Sequence, residues 1–338
     1  MADVKPWIGG AVTGVGSLPG TDPADAARLV FGELPDLPHL PELPARGAGA
    51  DMIGRTAALL VDLPVEIVPS GWRLTAHAGH ELRRARDFLA WDLDALEAAG
   101  AGYTGPVKVQ AVGPWTLGAS LELATGHRMV GDYGAARDLA ESLTEGLQAH
   151  LDELRRRLPE ATLVLQLDEP SLPAVLAGAV PTPSGYGTVR AVEASVVEQT
   201  LRDVLGIVPE GARVVHCCAP DVPIGVLRDA GADAISLDLL HLDAPHYDLL
   251  GESVDAGVSL WLGVLPSVDA PVSFDAARAA VRELWTALGF PLSQLAAAVV
   301  ATPACGLAGA SADHARTVLK TLRDLGKWLT DAATGAST

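Results

Sequence analysis

Arg213-Val-Val-His216-Cys217-Cys218-Ala-Pro-Asp-Val-Pro-Ile-Gly-Val-Leu-Arg-Asp-Ala-Gly-Ala-Asp-Ala234-Ile-Ser-Leu237-Asp238 is the stretch on which the fold turns. It opens and closes on short apolar runs, 213–215 and 234–237, with Pro and Gly punctuating the chain between them. Runs this short and this apolar suit strands covered on both faces, which is the condition of a parallel sheet wrapped by helices. Each run ends in residues able to do chemistry: His216, Cys217 and Cys218 after the first, Asp238 after the second.

Outward from this unit the same alternation continues. Further strand-like runs occupy 11–15, 107–112, 163–167, 258–264 and 296–301, with a weaker one at 65–68. Stretches with apolar residues at three- and four-residue spacing, as in 81–99, 133–158, 192–205, 275–288 and 313–333, read as helices between them. Strand followed by helix, repeated about eight times, predicts a single-domain (β/α)8 TIM barrel over 1–338, ordered over roughly 8–330 with a flexible tail at 331–338. A doubly wound open sheet is the alternative, superficially favoured by Gly14-x-Gly16-x-x-x-Gly20. That spacing is one residue too long for the dinucleotide fingerprint, and no acidic residue ends a clear second strand about 20 residues on. Residues 32–49, dense in Pro and Leu, read as a long loop at the rim where the first strand ends.

Composition narrows the partners. With 338 residues, 49% hydrophobic and 20% charged, the chain has the make-up of a globular enzyme. A net charge of −18, with no basic patch, argues against nucleic acid or an anionic membrane as partner. No run of eighteen apolar residues occurs, and residues 1–7 lack the apolar core of a secretory leader. Three cysteines do not make a disulfide framework. The expected compartment is the cytoplasm, where thiols stay reduced and free to bind metal.

In a barrel of this kind the residues at the strand ends assemble the active site. His216 and Cys218 lie two apart and so face the same way, while Cys217 points elsewhere. Asp238 ends the next strand, and Cys305 follows the last. One imidazole, two thiolates and one carboxylate make a plausible four-coordinate zinc site. Cysteine is also among the residues most often buried for packing alone, so spacing by itself leaves both readings open.

Several short motifs, in order along the chain, resemble the C-terminal catalytic domain of cobalamin-independent methionine synthase. They are Gly14-Val15-Gly16-Ser17-Leu18-Pro19, Gly113-Pro114-Trp115-Thr116, Gln166-Leu167-Asp168-Glu169-Pro170-Ser171, His216-x-Cys218 and Pro303-Ala304-Cys305-Gly306-Leu307. The resemblance implies a Zn2+-dependent methyltransferase that converts homocysteine to methionine, with His216, Cys218, Asp238 and Cys305 as metal ligands. It implies that Asp168 is the catalytic-site carboxylate binding the substrate ammonium, with Glu42 as a second. Gly16 and Ser17 would hold the substrate carboxylate, and Trp115 would stack on the methyl donor or simply fill the rim.

Three departures stand out. Asp238 replaces the family's usual Glu. Gly263-Val264-Leu265-Pro266-Ser267 lacks the His expected to pass protons, for which His241 is a speculative substitute. The extra N-terminal barrel of the long members has no room here, so the chain resembles short members. Its methyl donor is then either methyltetrahydrofolate or a methylated corrinoid protein.

Glu169 reads equally well as a functional group and as a helix cap ahead of Pro170. Competing readings keep the fold and change the role. A relative of uroporphyrinogen decarboxylase would line its cleft with Arg, which these strand ends do not. A methyltransferase acting on another thiol or corrinoid, or a non-catalytic zinc- or corrinoid-binding protein, would keep the ligands.

Overall fold

The computed structural model describes residues 5–335. Two strands, β1 (Val65–Val68) and β2 (Gly71–Leu74), form a small antiparallel hairpin. Six more, β3 (Pro106–Val112), β4 (Thr162–Asp168), β5 (Arg213–Cys217), β6 (Ala234–Asp238), β7 (Ser259–Leu265) and β8 (Val299–Pro303), pair in chain order and all in parallel. Two expected strands therefore need correction. The run at 65–68 pairs with its own hairpin partner and not with this sheet. The run at 11–15 is reduced to one parallel bridge, Val12 to Ala301 of β8.

The two edges of the sheet are linked by irregular backbone. Val12 bridges to β8, Ser17 bridges to Glu42, and His39 bridges to Lys108 of β3. The segment expected to be only a rim loop, 32–49, thus lies beside β3, held by Leu40 N–H to Lys108 O at 2.9 Å and Lys108 N–H to Pro38 O at 2.8 Å. Pro and Gly in both segments forbid a full ladder. The turn glycines serve packing: a Cβ on Gly14 would lie 2.4 Å from His39 Cε1, and one on Gly16 would crowd Gln110 at 3.0 Å. That accounts for the motif that superficially resembles a nucleotide-binding loop.

Alternation along the strands sets what the curl of the sheet encloses. Val164, Val214, Ala234, Trp261 and Val300, one from each of β4 to β8, form an apolar cluster with Trp7, separate from the main core. Trp7 meets Trp261 edge to face at 5.2 Å between centroids. Two residues further along the same faces come Gln166, His216, Ser236 and Thr302, which are buried and polar.

Helices cover the outside. The helix Tyr133–Arg157 is capped by Asp132, which accepts from Ala135 N–H, and buries Leu139, Leu143, Leu147, Leu151 and Leu154 at helical spacing. Gly146 lets it approach closely, since a Cβ there would stand 2.0 Å from the Leu59 carbonyl oxygen. The last helix, Ala312–Thr334, runs past residue 330, so the expected tail is helical through Thr334; residues 336–338 lie outside the described part. No helix among the described residues is long and apolar enough to cross a membrane.

Candidate metal centre and substrate pocket

His216, Cys218 and Cys305 converge: one ligand atom from each lies within 4.8 Å of the others. The two sulfurs are 3.1 Å apart. His216 is buried, and its Nδ1 pairs with Ser236 Oγ at 2.9 Å on the neighbouring strand. That contact fixes the ring and leaves Nε2 buried with no partner. An imidazole held by one nitrogen and bare at the other is the arrangement metal-binding histidines use. Cys305 is pulled down to about 4, first by the Cys218 S–H it accepts and then by His216, while the same contact pushes Cys218 up. Cys217 faces away, fully buried, its thiol pushed up to about 12 by burial.

Asp238, the expected fourth ligand, is not within this group of three. Its Oδ1 accepts from Leu240 N–H at 2.9 Å, capping the turn Leu239–His241, and its Oδ2 lies 3.6 Å from His241 Nε2. Burial raises its carboxyl, opposed by the Leu240 N–H and His241. The loop after β7, which lacks the family histidine, receives His314 from the last helix instead, its Nε2 3.1 Å from the Pro266 carbonyl oxygen.

The other expected residues border this cluster. Ser17 packs against the Cys305 loop: Leu307 N–H donates to Ser17 O at 2.8 Å, and a Cβ on Gly306 would stand 2.1 Å from Ser17 Oγ. Gly16 and Glu42 join through Glu42 N–H to Gly16 O at 3.2 Å. Asp168 is the register partner of His216. It accepts from Gln166 Nε2 at 2.7 Å, and burial raises it to about 7 against the pull of His216 and Lys108. Glu42 accepts from Gln110 Nε2 at 3.0 Å and lies 3.9 Å from Arg55 Nε. Asp92 engages both Arg55 and Arg46, so these arginines brace the wall.

Glu169 does not cap the helix that follows Pro170, whose N-cap is Ser171. It is fully buried and accepts the N–H groups of Trp115 at 3.0 Å and Thr116 at 2.7 Å, capping the helix Pro114–Ser120 from a neighbouring loop. Gly113 makes room, since a Cβ there would lie 2.2 Å from Glu169 Oε1. Trp115 lines a cavity of about 1000 Å³ between the helices Tyr133–Arg157 and Ala194–Leu205, outside the sheet.

The sequence reading missed the buried polar side chains of β3. Lys108 is fully buried, with Nζ 2.6 Å from Val15 O and 3.3 Å from Gln110 Oε1. Burial lowers it to about 7, opposed by Asp168 and Glu42. Strict alternation in Val107-Lys108-Val109-Gln110 was the available signal, but alternation alone does not say which face looks inward.

The chain aligns over its full sheet with a B12-independent methionine synthase from Shewanella sp. W3-18-1, solved in complex with selenomethionine: TM-score 0.64, 14% identity, 97% of this chain and 100% of that one. Weaker likenesses are a GH5_18 protein from Streptomyces cattleya with GlcNAc (TM-score 0.48, 13% identity, 97% and 81% covered) and a Pyrococcus furiosus tryptophan synthase complex (TM-score 0.40, 12% identity, 97% and 99% covered). No curated protein matches in sequence. Residues 11–327 match the family described as cobalamin-independent synthase, catalytic domain. That span holds every motif above, and the chain belongs to this family.

Proposed function

We propose that this protein is a zinc-dependent methyltransferase that methylates the thiol of homocysteine to form methionine. The observation that carries the reading is the convergence of Cys218, Cys305 and the unpartnered Nε2 of His216, bordered by Asp168 and Glu42. Two sulfurs and a bare imidazole nitrogen suit zinc, and we assign Asp238 as the fourth ligand. We read the six-stranded sheet and its two bridged segments as the staves of one (β/α)8 barrel spanning the chain, working in the cytoplasm.

A free thiol is mostly neutral at pH 7, and zinc held by His216, Cys218, Cys305 and Asp238 would favour its thiolate form while leaving the sulfur nucleophilic. The chain's own residues do the rest. Asp168 and Glu42 take the ammonium of the amino acid, and Ser17 with the Gly16 backbone takes its carboxylate. Ser17 touches the Cys305 loop, so a substrate gripped at its amino-acid end extends its sulfur toward the cysteines. The sulfur lone pair then forms the S–CH3 bond as the donor's bond to the methyl carbon breaks, its electron pair staying on the donor; on a folate donor the leaving nitrogen takes up a proton, which balances the one lost by the thiol. The donor is methyltetrahydrofolate or a methylated corrinoid protein.

Purified protein should carry about one zinc per chain, and Cys218→Ser or Cys305→Ser should lose it together with methionine formation. Assays with each donor in turn assign the donor. A folded wild type with neither bound zinc after reconstitution nor turnover of homocysteine would remove this reading.

A further inference from the structure

We propose that Lys108 is a positioning residue that ties Glu42 and Asp168 into one clamp selective for thiols bearing an α-ammonium group. This rests on the reading of the pocket above and names the substrate class it accepts. A continuous chain of buried hydrogen bonds connects the two carboxylates. Gln110 Nε2 donates to Glu42 Oε1 at 3.0 Å, and Gln110 Oε1 accepts from Lys108 Nζ at 3.3 Å. Lys108 Nζ also donates to Val15 O at 2.6 Å. The same carbonyl accepts from Gln166 Nε2 at 2.9 Å, which in turn donates to Asp168 Oδ1 at 2.7 Å.

Every member of the chain is buried. Both amides have their orientation dictated: Gln110 must turn its oxygen to the lysine and its nitrogen to Glu42 and to Leu40 O, at 2.6 Å. Lys108 is the only amine in this chain of contacts, and two carboxyls face it from opposite ends. Glu42 also lies 3.9 Å from Arg55 Nε, itself bound to Asp92, so the lysine's part is to hold this chain of hydrogen bonds in register and keep the two carboxyls aimed at a substrate ammonium. A fully buried lysine is costly where an apolar residue would fill a strand position. Its place between two carboxylates, on a carbonyl of the turn that carries Gly16 and Ser17, gives that cost a use.

The test compares homocysteine with its desamino analogue, 4-mercaptobutanoate, in binding by calorimetry and in kcat/KM, for wild type and Lys108→Met. The wild type should favour homocysteine by about a hundredfold or more, as pockets built around a buried polar partner do. Lys108→Met should cut that preference by about tenfold, in line with losing a charged hydrogen-bond partner, with bound zinc unchanged. A variant that keeps the ratio would show a merely structural lysine, and one that raises it, as loss of a positive charge beside two carboxyls would by itself, would equally overturn the proposal. Should Lys108→Met fail to fold, Gln110→Met breaks the link to Glu42 alone and carries the same expectation. A wild type that binds neither thiol overturns the pocket reading itself, an outcome distinct from an unchanged ratio.

Discussion

The two ends of the space inside the sheet are built by the same strands and have opposite chemistry. At one end Val164, Val214, Ala234, Trp261 and Val300 make an apolar plug. Two residues further along β4, β5 and β6, on the same faces, stand Gln166, His216 and Ser236, and two beyond those, Asp168, Cys218 and Asp238. One strand thus steps from packing to chemistry in four residues. The plug is apolar apart from the indole N–H groups of Trp7 and Trp261, both buried without a hydrogen-bond partner. The polar end is buried too, and there the groups without a hydrogen-bond partner are the Nε2 of His216, the side chain of Thr302 and both ring nitrogens of His39, beside Gly14 and Lys108.

This contrast can be broken deliberately. Trp261→Ala should destabilise the fold by about 3–5 kcal/mol, read as a fall in denaturation midpoint, while zinc bound per folded chain stays constant. If the metal leaves together with the stability, the two ends are not separable. The reverse experiment is Ser236→Ala, which removes the partner of His216 Nδ1. It should weaken zinc affinity about 10–100-fold with little change in midpoint; an unchanged affinity would mean the ring needs no such brace.

A finer contrast sets His216 against His150, the buried histidine of the outer helix Tyr133–Arg157. Burial first, then Arg55, lowers His150 to about 3. The unfolded chain binds a proton there near pH 6.5, so stability is held above that pH and drains away as pH falls toward 3. At pH 5 the loss should be about 2 kcal/mol, measured as the difference between urea unfolding at pH 7 and pH 5. His150→Leu should flatten that part of the profile. An equally steep profile in the variant would assign the acid sensitivity to the polar end instead.

Much of this was legible in the sequence, for reasons tied to particular residues. Strands β3 to β8 announce themselves because both faces are covered and their runs are apolar. The run at 11–15 reads as a strand too but forms only one bridge, while the His39 segment, dense in Pro, reads as a loop although it bridges Lys108. His216, Cys218 and Cys305 were visible as scarce residue types at strand ends. Asp238 was visible too, but the sequence does not show that its carboxylate caps Leu240. Lys108 and Gln110 were hidden because a polar strand face normally means solvent, and here it means the inside of the sheet. Glu169 was ambiguous until its two acceptor bonds to the Pro114–Ser120 helix were seen.

The isolated bridges at Val12, Ser17 and His39 carry a consequence for how a ligand is felt. Where neighbouring strands share four or more register pairs, the wall stands by itself; here it is basted together with single stitches. Ser17 and Glu42, which make one of those stitches, are also the residues assigned to grip the amino acid. An amino acid held by both residues would therefore add a tie of its own across that stitch, beside the loop that carries Cys305.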